Sequence, residues 1–339
     1  MTPDTPPPAG GPGSATSAAS ATSAGGQGPG IPVTGEQYEI SAGDYRAVVT
    51  ELGAGLRELS HGGIPLVFGY EADELPPGAA GELLTPWPNR VDHGRYEFDG
   101  ATYQLDLSEA GNGNAIHGLT RFAAWRPVRH EPDSIVLRHL PHGYAGYPFC
   151  LEVEAEYRLS PAAGLEVTIA AANRGTRPAP YGFGQHPYLS AGPSPAGSSP
   201  VDDWELALPA TQWLPVDERG IPAGPVQDLE GAVCDFRRPR RIGSSVLDHA
   251  VTGLIRQNDG RAWAHLRAGG SQVSLWAGAD CPWLQVFTSD TLHGGRHRKA
   301  VAIEPMTCPP NAFVTGDDLI VLRPGETVTR SWGVQHNPA

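Results

Sequence analysis

Leu151-Glu-Val-Glu-Ala-Glu-Tyr-Arg-Leu159 decides the fold class. Leu, Val, Ala, Tyr and Leu alternate with Glu, Glu, Glu and Arg along the whole stretch. Side chains of an extended strand point to opposite faces in turn, so the segment has one apolar and one charged face. That is an antiparallel strand with one side on a core and the other in water. Shorter runs of the same kind recur outward from it, at residues 38–41, 45–50, 165–172, 204–208, 262–266, 272–276, 283–288, 300–304, 319–322 and 328–334. Between Arg95-Tyr-Glu-Phe98 and Ala101-Thr-Tyr-Gln-Leu105 stands Asp99-Gly100, which supplies the positive φ angles of a two-residue hairpin turn. No stretch of eleven or more residues keeps a helical period without Gly or Pro. Many short strands with regular turn signals mean an all-β sandwich or barrel.

Composition bounds the remaining possibilities. The 339 residues include 43 Gly and 34 Pro, part of them in the biased segment MTPDTPPPAGGPGSATSAASATSAGGQGPGIPV at 1–33. That tract has almost no large apolar side chain before Ile31, cannot bury enough surface to offset chain entropy, and reads as a disordered tail. Residues 34–339 show no internal linker and no repeat, and read as one domain. A net charge of −13 repels a phosphate backbone, which argues against nucleic acid as a partner. Cys150, Cys234, Cys281 and Cys308 form no Cys-x-x-Cys pair and read as free thiols of a reducing compartment. The first basic residue is Arg46 and no run of 18 apolar residues occurs, so neither a leader nor a membrane span is expected. The expectation is a soluble, cytoplasmic protein, monomeric or weakly dimeric.

Polar groups stand where a scaffold alone would not need them. Arg90 follows the rigid Thr85-Pro-Trp-Pro-Asn89, and His117 lies between glycine-rich turns in Asn112-Gly-Asn-Ala-Ile-His-Gly118. His186 ends Tyr181-Gly-Phe-Gly-Gln-His186, and Asp248 follows a turn in Val246-Leu-Asp-His249. Glu304 sits in Val301-Ala-Ile-Glu-Pro-Met306, where strand alternation puts it on the face of Ala302 and Met306, opposite Val301, Ile303 and Pro305. Apolar surroundings raise a carboxyl pKa and make it a better base near neutrality. Each of these residues also has a plain structural reading: an edge-strand glutamate, satisfied core histidines, an Arg90–Asp248 pair. Trp87, Trp283 and Phe287 read first as core aromatics, and as a ligand-facing surface only second. His, His and Glu are zinc-ligand types, yet the chain has no His-x-x-x-His or His-Glu-x-x-His spacing, so no metal is expected. No Gly-x-Gly-x-x-Gly opens a helix, and neither a Walker sequence nor Gly-x-Ser-x-Gly occurs, so no nucleotide cofactor and no serine hydrolase is expected.

Taken in order, these segments resemble the aldose 1-epimerase (galactose mutarotase-like) family from about Glu36 to Gln335. The resemblance rests on Asn89-Arg90…Gly94-Arg-Tyr96, Asn114-x-x-His117-Gly118, His186-Pro-Tyr188 and Leu214-Pro-Val-Asp-Glu-Arg-Gly-Ile-Pro222-x-Gly224. Leu247-Asp248-His249, Leu284-Gln-Val-Phe-Thr288 and Ile303-Glu304-Pro-Met306 complete it. It implies a large antiparallel β-sandwich with an open sugar cleft, Glu304 as general base and His186 as general acid. It further implies Arg90, His117 and Asp248 as substrate-binding residues, a small-molecule sugar as partner, and no cofactor. Gln185-His186-Pro187-Tyr188 departs from the Asn-His-x-Tyr-Phe of galactose mutarotases, which puts galactose specificity in doubt and leaves the histidine in place.

Three other readings compete with a free-sugar mutarotase. A hexose-6-phosphate 1-epimerase needs cations for a phosphate, for which Arg237, Arg238, Arg240 and Arg241 are candidates. A glycoside hydrolase would pair Glu304 with Asp248 and has no use for His186. A carbohydrate-binding protein without activity needs aromatic and polar contacts, but not Glu304 and His186 together.

Overall fold

In the computed structural model, residues 30–140, 142–192 and 200–338 are described. Most of the tail read at 1–33 therefore lies outside the described residues. Among the described residues Thr34 is the first that is buried, with its backbone N and Oγ1 both donating to Ala72 O.

The Leu151–Ser160 strand is third from one edge of a nine-stranded antiparallel sheet, with buried residues alternating strictly with half-exposed or exposed ones. Its long neighbours are Gly164–Asn173 and then Thr327–Pro338, followed by Ser271–Ala277 and Ala262–Ala268. Arg126–Glu131 and Ser134–His139 complete the other side. Sequence reading missed this last pair. Arg126-Pro-Val-Arg-His-Glu131 is exposed along its whole length and bulged between Pro127 and Arg129, so as an edge strand it carries no alternation to read.

A second, eight-stranded sheet contains Gln212–Leu214, Asp248–Thr252, Trp283–Phe287, Val301–Met306, Gly184–Gln185 and Leu83–Leu84 in that order. Val251, Leu284, Val286, Val301 and Ile303 from it share one buried core with Val167, Ile169, Val273 and Leu275 of the nine-stranded sheet. That shared core is the filling of a β-sandwich. Smaller antiparallel pairs join Arg90–Asp92 to Asn114–Ile116 and Arg95–Phe98 to Ala101–Gln104. The latter turns through Asp99 (φ 51°) and Gly100 (φ 75°), as the Asp-Gly pair predicts. Only two one-turn α-helices, Pro200–Asp203 and Ala312–Thr315, appear among the described residues. None of the described helices is long and apolar enough to cross a membrane. None of the four cysteines is in a disulfide, and Cys234, Cys281 and Cys308 are buried.

Candidate active site

The face of the eight-stranded sheet that points away from the shared core is built of cross-strand rows. Asp248, Phe287, Ala302 and Tyr188 are successive partners in one row, and Ala250, Gln285 and Glu304 in the next. Directly paired residues share a face, so small Ala250 and Ala302 leave room above the sheet while Asp248, Gln285 and Glu304 project into it. The run read as 300–304 extends to Met306, with Glu304 in its interior. Val301 and Ile303 enter the main core, while Ala302 and Met306 lie on the opposite face with Glu304, as alternation requires.

His186 reaches Glu304 because the strand beside Val301–Met306 is interrupted. Met306 pairs with Gly184, and Ala302 pairs with Tyr188. The residues between bow out of the ladder and set the His186 ring across from Glu304. There Nε2 lies 3.3 Å from Glu304 Oε1. Pro305 falls in the same interruption, where the strand demands no donor from it. The backbone of His186 is fixed by its N–H to Glu82 O (3.2 Å) and by Gly81 N–H to its carbonyl (2.9 Å). Its ring stacks on Tyr188 with centroids 4.8 Å apart.

Gln185, where the chain departs from Asn-His-x-Tyr-Phe, anchors this histidine. Its amide is fully buried: Nε2 donates to Gly81 O (3.0 Å) and Tyr157 OH (2.7 Å), and Oε1 accepts from Trp332 Nε1 (2.9 Å). Tyr157 and Trp332 belong to the nine-stranded sheet, so a satisfied polar tie runs through the sandwich directly beneath His186.

Arg90 and His117 come from the small ladder beside the sheet. Arg90 pairs with Ile116, and His117 N–H donates to Asn89 O (2.9 Å). His117 adopts a left-handed conformation (φ 62°), unusual outside glycine, and Gly118 follows it at φ 69°. A Cβ at Gly118 would run into the backbone of Thr85, so glycine is required for the loop to pass. The His117 ring meets His186 edge to face, with centroids 5.4 Å apart. Arg90 grips Glu109 in a bidentate pair, Nε to Oε2 and Nη2 to Oε1 both at 2.9 Å. Its Nη1 lies 3.9 Å from Asp248 Oδ2, and Asp248 Oδ1 accepts from Gln285 Nε2 at 2.5 Å.

All five residues singled out in the sequence therefore line one cleft of about 330 Å3. That falls within the size range of small-molecule sites. Phe287 lines it too, whereas Trp87 is core and Trp283 is buried with Leu214, Ala250 and Met306. Glu109, Gln285 and Arg121 also face the cleft and were not singled out. Arg121 stands 3.8 Å from Glu82, a buried carboxyl pushed up to about 8 by burial against the pull of Arg121. Gln285 had a readable signal, since it is a polar residue sharing a strand face with Trp283 and Phe287, while its register against Asp248 and Glu304 came only with the fold. Nothing local marks Glu109, Arg121 or Glu82. Arg237, Arg238 and Arg240 lie outside this cleft, with Arg237 paired to Asp235 at 2.7 Å.

Electrostatics follow from burial. Glu304 is 1% exposed and its pKa is raised well above that of an ordinary carboxyl, by desolvation first and by the Asp248 charge second, with Arg90 opposing. Burial lowers His186 to about 3, and lowers His117 well below its usual value with help from His186, Arg121 and Arg90. Burial works against the charge of Arg90, but Glu109, Asp248 and Glu304 outweigh it and raise its pKa. Glu304 Oε2, Gln285 Oε1 and His117 Nδ1 are buried without a hydrogen-bond partner. Orphaned polar atoms beside a cleft are hydrogen-bonding capacity left for a ligand. Among the described residues no cluster of three His, Cys, Asp or Glu side chains has the arrangement of a metal site.

Comparison with known proteins identifies the family and the fold. The family model described as aldose 1-epimerase matches residues 36–334. The protein YihR of Escherichia coli K12 is 36% identical over 295 residues, spanning 86% of this chain and 91% of its own. Galactose mutarotase of Mus musculus is 28% identical over 226 residues, a match that spans 64% of each chain. In fold, the chain is similar to an aldose epimerase homologue from C. elegans (TM-score 0.79, 20% identity, 90% of this chain and 99% of that one). It is also similar to a putative aldose 1-epimerase from Escherichia coli K12 (TM-score 0.77, 22% identity, again 90% and 99%). By the extent of the family match and the identity to its relatives, the chain belongs to the aldose 1-epimerase family.

Proposed function

We propose that the protein interconverts the α and β anomers of a free hexose such as glucose or galactose by acid–base ring opening and closure. The observation that carries this reading is the buried Glu304–His186 pair, 3.3 Å apart on the floor of a cleft rimmed by polar side chains. Mutarotation needs one group to take the proton of the anomeric hydroxyl and another to give a proton to the ring oxygen. Burial disfavours both charges, so the reactive carboxylate–imidazolium form arises from the neutral pair by proton transfer across the 3.3 Å contact; Glu304 then takes the first proton and His186 gives the second. The C1–O5 bond breaks, the anomeric C–O becomes a carbonyl, rotation about C1–C2 turns it over, and both proton transfers reverse on closure. Ring opening thus leaves a neutral carboxylic acid and a neutral imidazole. Burial favours that uncharged pair, so desolvation strengthens Glu304 as a base and His186 as an acid for the opening step.

Arg90, His117 and Asp248 hold the ring and hydroxyl oxygens, which makes ring opening effectively unimolecular. A free rather than phosphorylated hexose is favoured because the arginines at 237–241 that suggested a phosphate site stand apart from this cleft. A glycosidase pairing Glu304 with Asp248 would leave His186 and its tie through Gln185 without a part.

Polarimetry on freshly dissolved α-D-glucose and α-D-galactose tests the proposal, with glucose 6-phosphate and a nitrophenyl glycoside run alongside. Acceleration with a free sugar is the expected result. Turnover confined to the phosphorylated sugar, release of nitrophenol, or binding without acceleration would overturn it.

A further inference from the structure

Leu214-Pro-Val-Asp-Glu-Arg-Gly-Ile-Pro222 contributes no residue to the proton chemistry, yet it closes against the arginine of the cleft. Asp217 Oδ1 accepts from Arg219 N–H and Ile221 N–H, both at 2.9 Å, and Gly220 N–H donates to Asp217 O at 3.0 Å. The resulting tight turn points Arg219 toward the 109–114 loop. Arg219 Nε donates to Asn112 O (2.9 Å) and Nη2 to Asn114 Oδ1 (2.8 Å), while Nη2 also lies 2.8 Å from Asp92 Oδ1. Asn114 is fully buried and returns the contact, its Nδ2 donating to Arg219 O (2.9 Å) and to Glu109 Oε2 (3.0 Å). Glu109 is the residue that takes Nε and Nη2 of Arg90. An unbroken series of polar contacts thus runs from Arg219 through Asn114 and Glu109 to Arg90.

Gly220 adds a steric constraint to that series. It sits at φ 73°, and a Cβ there would meet Arg90 Nη1 closer than any real Cβ contact. The turn therefore lies directly on the guanidinium, and a side chain at this left-handed position would have to push Arg90 aside. With Nε and Nη2 held by Glu109 and Gly220 against Nη1, Arg90 has a single orientation, the one that leaves Nη1 facing Asp248. Fixing the fork of an arginine in advance removes the cost of ordering it when ligand arrives.

We infer that Arg219 is a positioning residue, which acts through Asn114 and Glu109 to hold the Arg90 guanidinium in its sugar-binding orientation. The inference rests on the proposed function only in taking Arg90 as a residue that grips the sugar. Arg219 itself does not line the cleft.

A double-mutant cycle on the full-length protein tests this, reading kcat and KM by polarimetry and Kd by calorimetric titration with glucose and galactose. Arg219→Ala should raise KM and Kd on the order of tenfold, within the coupling range of residues in one hydrogen-bond network, and change kcat little. In an Arg90→Ala background the same substitution should change neither constant further. Equal effects of Arg219→Ala with and without Arg90, or no effect on KM and Kd, would overturn the inference. If Arg219→Ala does not fold, Arg219→Gln carries the same cycle, because it removes the guanidinium contacts to Asn112 and Asn114 while keeping a polar side chain and leaving the cleft residues intact. An Arg90→Ala protein with unchanged KM would instead defeat Arg90 as a sugar grip. A wild type that neither turns over nor binds a free aldose would defeat the proposed function and this inference together.

Discussion

Replacing Glu304 by Gln separates the chemistry from the fold. The side chain is 1% exposed and fixed in the interior of a six-residue strand, so an amide of the same shape fits the same space. What disappears is the ability to accept the anomeric proton. A positioned base contributes roughly 10²–10⁴-fold, so kcat should fall by that factor, about 3–5 kcal/mol of barrier, with a much smaller change in KM. Stability should move the other way. A carboxyl whose pKa is raised on folding stabilises the folded chain most below its unfolded value of 4.5, and that contribution is lost as pH climbs toward the raised value. Gln lacks this dependence. The melting temperature of Glu304→Gln should therefore gain on wild type between pH 5 and pH 8, by at most about 1.4 kcal/mol of stability per pH unit. Polarimetry for the rate and calorimetry across that pH range measure both arms. A folded Glu304→Gln protein that mutarotates at near wild-type rate would refute the reasoning, and a sugar-binding role without turnover would replace it.

Four further outcomes follow from the same geometry. Arg90→Ala and Asp248→Ala should raise KM at least as much as they lower kcat, because both side chains hold substrate and neither moves a proton; steady-state polarimetry separates the two constants. Gly118→Ala should cost about 2–4 kcal/mol and lower activity with it, since its Cβ meets the Thr85 backbone at a left-handed residue; a melting temperature within a degree of wild type would contradict that packing. Prolonged chelation should leave the mutarotation rate unchanged, as a carboxylate and an imidazole suffice for the chemistry, and a loss restored by zinc would show otherwise. Deleting residues 1–29 should leave melting temperature and kcat unchanged, because that tract lacks core-forming side chains and the first buried anchor among the described residues is Thr34 on Ala72.

The sequence by itself determined the class of fold and the identity of the proton-transfer candidates. The alternation of 151–159 can serve only a half-buried strand, and Asp99-Gly100 only a tight hairpin turn, because both signals are local and periodic. The face shared by Ala302, Glu304 and Met306 was equally legible, since strand alternation leaves no choice once the strand is granted. Tertiary structure alone decided how the pieces meet. His186 faces Glu304 because the neighbouring strand breaks between Gly184 and Tyr188, and such an interruption has no signature in a chain read one segment at a time. Glu109 and Arg219 were not readable as parts of the site for a related reason. Glu109 precedes Asn114 in an exposed-looking loop, and Arg219 lies 129 residues beyond Arg90 in sequence, so nothing but folding brings their charges together. Gln185, read only as a departure from the galactose mutarotase pattern, proves to tie the two sheets together beneath His186. Long-range polar pairing is set by where sheets cross, and that crossing is a property of the whole core and not of any single strand.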